Sequence, residues 1–134
     1  MIDVLNEIFN TVATAVRTAH YDVTVTGEYT RKPSKFPTVT LDEIENVSVD
    51  RLEDSSDIET YSGLNYRLQV FSNKQSGKKA EARAIFLTAD AEMRRLGFRR
   101  ITYTTTPEIY ESTIYSITAT YEAVVDHNGV VYKR

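Results

Sequence analysis

A chain of 134 residues with a formal net charge of −3 and no cysteine is sized for one domain, able to bury roughly 68% of the surface that its unfolded form exposes. Without cysteine there is no disulfide framework and no thiolate zinc site, and the mild acidity argues against a general nucleic-acid binder. No run approaches the roughly 20 apolar residues that span a bilayer, and no basic-then-apolar leader opens the chain, so the expectation is a soluble intracellular protein.

Ile2, Leu5, Phe9, Val12, Val16 and Ala19 recur at helical spacing, which predicts an amphipathic helix over about 2–18 with Asp3 capping or charging its start. Tyr21 to Thr26 alternates around Val23 and Val25 and predicts a short strand. The polar stretch Glu28 to Lys35 reads as an exposed loop. A second strand follows over Phe36-Pro37-Thr38-Val39-Thr40-Leu41. Pro37 has no amide hydrogen to donate, so this strand must begin there or lie at an edge.

Between Asp42 and Glu59 stand eight carboxylates against the single Arg51. Val47, Val49 and Leu52 would support at most a short strand, so the segment reads as a solvated, partly disordered loop. The sharper alternative is an acidic arm, at about 42–61, that docks on a basic surface.

The clearest grammar in the chain runs from Ser62 to Arg100. Leu64, Tyr66, Leu68 and Val70 point one way, while Asn65, Arg67, Gln69 and Asn73 point the other, with Phe71 the one apolar exception. After the loop 73–77 the period becomes helical through Ala82, Ile85, Phe86, Ala89, Met93 and Leu96. Gly97 supplies a helix stop, and Arg94 and Arg95 suit the negative end of the dipole. A strand over Phe98 to Thr106 then places Ile101 and Tyr103 on one face, with Arg100, Thr102 and Thr104 on the other. Tyr110 to Val125 pairs with it antiparallel, and Asp126-His127-Asn128-Gly129 turns into a short last strand over Val130 to Lys133. The expected fold is α+β, a single largely antiparallel sheet with two helices on one face, in one domain over 1–134.

Catalytic grammar is sparse. His20 and His127 sit in no metal-ligand spacing, no nucleophile elbow surrounds a serine, and Gly77-Lys78-Lys79 lacks the upstream glycine of a phosphate-binding loop. The expectation is a non-enzyme with no catalytic, metal or cofactor-binding residues. What remains is charge and tyrosine. Lys74, Lys78, Lys79 and Arg83 form a candidate basic surface, and Asp50, Glu53, Asp54 and Asp57 the candidate acidic one. Nine tyrosines suit strands and protein interfaces alike.

Lys35-Phe36-Pro37-Thr38-Val39, then Tyr66 to Asn73, then Lys78-Lys79-Ala80 opening a helix, then Met93-Arg94-Arg95-Leu96-Gly97-Phe98 before a β hairpin resemble, in order and spacing, the small tail terminator and tail completion proteins of tailed bacteriophages and of phage-tail-like bacteriocins. The resemblance implies a structural virion protein that assembles as a hexameric ring on the head-proximal end of the tail tube. There it would stop polymerisation and present a surface to neck or head-completion proteins, or to sheath protein in a contractile tail. It implies assembly in the bacterial cytoplasm and then residence in the particle, no membrane partner, and DNA met only in passing through the ring. From another class, the alternative is a small cytosolic nucleic-acid- or ligand-binding module using the 74–83 surface.

Overall fold

The computed structural model describes residues 2–31, 33–48, 61–107, 113–126 and 131–132. In chain order these form α1 (Leu5–Ala19), β1 (Thr24–Thr26), β2 (Thr38–Ser48), β3 (Tyr61–Ser72), α2 (Lys78–Arg95), β4 (Arg99–Pro107), β5 (Tyr115–Asp126) and β6 (Val131–Tyr132). The strands make one sheet in the order β1-β2-β3-β5-β4, with β6 pairing on β5 beyond the end of β4. Among the described strands only the β1–β2 pair is parallel. The fold is α+β, one mostly antiparallel sheet with two helices.

Apolar spacing dictates what packs. From α1, Ile8, Val12, Ala13 and Val16 are buried against Ala82, Ile85, Phe86, Ala89 and Met93 of α2 and the inner face of the sheet. That inner face is the alternating set read from sequence: Leu64, Tyr66, Leu68 and Val70 of β3, with Ile117, Ala119, Tyr121, Ala123 and Val125 of β5, all at most 1% exposed. Burying each large apolar side chain contributes about 1.5–3 kcal/mol. Val4 holds the N-cap position of α1 with no side-chain cap bond; Asp3, one residue earlier, accepts from the Leu5 amide at 3.1 Å and places its charge at the helix start. His20, just past the end of α1, hydrogen-bonds through Nε2 to Thr88 Oγ1 at 2.9 Å, a tie between the helices. Among the described residues no helix is long and apolar enough to cross a membrane.

Gly97 has φ of 100°. Its amide donates to the Arg94 carbonyl and the Phe98 amide to the Met93 carbonyl, both at 3.0 Å, the paired bonds of a Schellman stop, and Met93 and Phe98 are both buried beneath it. A branched side chain is poorly tolerated at that φ. Gly97→Val is therefore expected to destabilise by about 1 kcal/mol or more; an unchanged thermal midpoint would contradict this account of the helix end.

Two sequence expectations are corrected. The stretch Asp42 to Ser48, read as the first part of an acidic loop or arm, continues β2, which pairs with β3 along its length. Asp42 lies opposite Arg67 and takes its guanidinium at 3.1 and 2.6 Å, with Tyr29 stacked 3.9 Å from the guanidinium carbon. A cross-strand ion pair thus outweighs the low strand propensity of acidic residues. In β4, Ile101 and Tyr103 do not alternate together. A bulge between Arg100 and Thr102 takes Ile101 out of the ladder, so Arg100 joins Tyr103 on the helix side and Ile101 stands 49% exposed. Of the two options for Pro37, β2 takes the first: the strand begins just after it, and the Pro37 carbonyl accepts from the Thr24 amide at 3.0 Å. The turn residues 127–130 lie outside the described residues, but β5 and β6 pair antiparallel, with Val125 opposite Val131.

Candidate assembly interface

The loop from Asn73 to Gly77 and the first turns of α2 carry the basic surface. Gly77 occupies the N-cap with φ of 88° and offers no side chain to cap the helix. Lys78 and Lys79 therefore head α2 directly, Lys79 exposed and Lys78 half-buried, with Lys74 exposed beside them. Two cations at a helix N-terminus oppose the macrodipole. Glu81, in the same first turn, offsets part of this and is held in place by Ser72 Oγ, which donates to its carboxylate at 2.7 Å.

Replacing both lysines by glutamate isolates the effect. Lys78→Glu with Lys79→Glu is expected to stabilise the isolated chain by about 0.3–1 kcal/mol per site, read as a higher urea midpoint. A lower midpoint would mean that the lysine side chains stabilise the fold themselves.

Arg83 belongs to a different neighbourhood from the lysines. Its guanidinium donates to Tyr103 Oη at 3.4 Å, which joins α2 to β4. There Arg100 reaches Asp90 at 3.0 Å and lies 5.9 Å from the Tyr103 ring centroid. Asp90 also accepts from Tyr121 Oη at 2.7 Å in the core. Burial pushes the Tyr121 phenol well above its ordinary range, its hydrogen bond to the Asp90 carboxylate adds to the rise, and Arg100 and Arg94 partly offset it. Sequence reading missed this triad because Asp90 sits one position beside the apolar stripe of α2, where an aspartate is ordinarily solvated.

The acidic half of the expected contact is only partly in view. Asp50, Glu53, Asp54 and Asp57 lie outside the described residues. Of the acids within β2, Asp42 is engaged by Arg67, Glu43 accepts from Asn46 Nδ2 at 3.2 Å, and Glu45 is exposed. Burial pushes the Glu43 carboxyl up, the Asn46 hydrogen bond lowers it, and Asp3 raises it again. This carboxylate is penalised in the isolated chain.

Elsewhere, an open cavity of about 350 Å³ lies beneath the loop after β1, lined mainly by Thr24, Thr26, Thr30, Ser34 and Thr38, with Glu28 and Lys35. Among the described residues no three His, Asp or Glu side chains are placed to hold a metal. In comparisons with known proteins, the chain matches no protein-family model and no curated sequence.

Proposed function

We propose that this protein is a structural component of a phage or phage-like tail, forming a ring on the head-proximal end of the tail tube. The ring ends tube polymerisation and offers its free side to a neck or head-completion protein, or to sheath protein if the tail contracts. The observation that carries the reading is the agreement between the motif order along the chain and the sheet-and-two-helix fold that the resemblance implies. The charge distribution supports it: a ring of identical subunits needs two different, complementary faces on each copy, and this chain separates the bases of α2 and β4 from the acids of β2.

The experiment is deletion of the gene in the particle that encodes it. Tails are expected to be irregular in length, or to fail to join heads where heads exist. Normal, length-controlled tails would remove the proposal. The nucleic-acid alternative draws on the exposed Lys74, Lys79 and Arg83, and it requires DNA affinity that falls steeply with salt. Purified protein titrated with duplex and single-stranded DNA at several salt concentrations separates the two.

A further inference from the structure

The parallel pair of the sheet is also where the fold leaves room. β1 and β2 run side by side in the same direction, and residues 27–37 carry the chain from the end of one back to the start of the other with no helix among their described residues. A parallel crossover is ordinarily filled by a helix packed on the sheet. Here a loop bridges instead, and the cavity of about 350 Å³ lies beneath it.

The strand pair builds the floor of this cavity. Val25 and Val39 turn into the core, so side-chain alternation sends Thr24, Thr26 and Thr38 to the opposite face, where all three line the cavity. Thr24 lies across from Thr38 in the ladder, which fixes the spacing of these hydroxyls before any ligand arrives. The loop supplies the walls. Thr38 Oγ1 donates to the Lys35 carbonyl, and Thr26 Oγ1 accepts from the Glu28 amide at 3.3 Å, so both ends of the loop are tied to the floor. Tyr29 stands in the wall with the Arg67 guanidinium carbon 3.9 Å from its ring centroid and 48% of its surface still exposed.

What the lining leaves unused selects the ligand. The side chains of Thr24, Glu28, Ser34 and Lys35 make no hydrogen bond or ion pair among the described residues. One carboxylate and one ammonium balance, so the lining favours neither an anion nor a cation. Hydroxyls both donate and accept, and a set of them matches a ligand that carries hydroxyls of its own. An aromatic ring beside such a set presents its electron-rich face to C–H groups. The volume lies at the low end of the range for small-molecule sites, about 300–1,000 Å³, which suits a single ring. We propose that this cavity binds a neutral polyhydroxylated ligand, one sugar ring, with Glu28 accepting from its hydroxyls, Lys35 donating to them, Thr24 and Ser34 doing both, and Tyr29 against its C–H side. The site is independent of the tail reading, and either can fail without the other.

The experiment is an NMR amide-shift titration of the full-length protein with glucose, galactose and N-acetylglucosamine, with glycine and inorganic phosphate as charged controls. At least one sugar is expected to shift the Thr24, Thr26, Ser34 and Lys35 amides saturably at millimolar concentration, the scale that a few neutral hydrogen bonds support. Thr24→Val removes the hydroxyl and keeps a β-branched strand residue, and Glu28→Gln removes the charge. Each should weaken that binding about fivefold or more with the thermal midpoint unchanged. Ser34→Ala, in the exposed loop, makes the same test without touching the ladder. The disaccharide of the sugar that binds separates the sources: tighter binding than the monomer identifies a polysaccharide and equal or weaker binding a free sugar, and both support the site. No saturable shift at these amides with any of the sugars, equal shifts from glycine or phosphate, or an affinity that Glu28→Gln and Ser34→Ala leave unchanged would each overturn it.

Discussion

Asp90→Ala is expected to cost about 3 kcal/mol, a fall in thermal midpoint of roughly 10 °C for a chain of this size. Asp90 is 5% exposed and Tyr121 fully buried, so removing the carboxylate leaves the Tyr121 hydroxyl with no acceptor in the core and takes the partner from Arg100. An orphaned buried donor costs about 1–3 kcal/mol on its own. Asp90→Asn keeps an oxygen for Tyr121 and loses only the charge, so its cost should be smaller, about 1 kcal/mol, because Arg100 is partly exposed and its ion pair is screened. The diagnostic measurement is a double-mutant cycle: Tyr121→Phe added to Asp90→Ala should cost little further, since the hydroxyl it deletes has already lost its partner. An Asp90→Ala protein within about 0.5 kcal/mol of the parent would show that the triad is not holding α2 on the sheet.

How much of this was readable beforehand depends on the range of the interaction. The inward set of β3, the stripe of α2 and the stop at Gly97 are local patterns with a period or a φ requirement of their own, and the structure has them where the sequence put them. The continuation of β2 through Asp42 to Ser48 was not legible, because it depends on Arg67 about 25 residues away in sequence and propensity alone argues against it. Bulges at Ile44 and Ile101 escaped for a related reason: an inserted residue shifts the phase without changing the composition. Phe71, the apolar residue on the polar side of β3, is buried, as are Thr40 and Gln69 on that face, which bond to each other at 2.8 Å. At the candidate interface, Lys74, Lys79 and Arg83 are exposed as read, but Arg83 turns to Tyr103, so the basic surface extends onto β4 through Arg99 and Arg100.

Tyr66→Phe is expected to change stability in the opposite direction from Asp90→Ala, a gain of about 1 kcal/mol or more. Tyr66 lies beside Tyr121 in the same row and is equally buried, its ring 5.1 Å from that of Phe98. Yet its hydroxyl has no hydrogen-bond partner among the described residues. Desolvating a hydroxyl without compensation costs about 1–3 kcal/mol by mutational measures, and phenylalanine keeps the ring while removing the polar atom. Burial, and then the charges of Glu43, Asp3 and Glu7, push the Tyr66 phenol far above its ordinary range. The sign of the pH effect follows. A phenol whose folded pKa is raised leaves stability independent of pH below the unfolded value of about 10, and stability falls as pH rises above it because the unfolded chain ionises first. Tyr66 and Tyr121 both do this, so the parent protein should lose stability above about pH 10, and Tyr66→Phe should flatten that loss as well as raise the neutral-pH midpoint. Urea denaturation at neutral and alkaline pH measures both. A Tyr66→Phe protein less stable at neutral pH by 1 kcal/mol or so would mean that the hydroxyl is satisfied in solution, by water or by Glu43, and the unpaired-core account would fall.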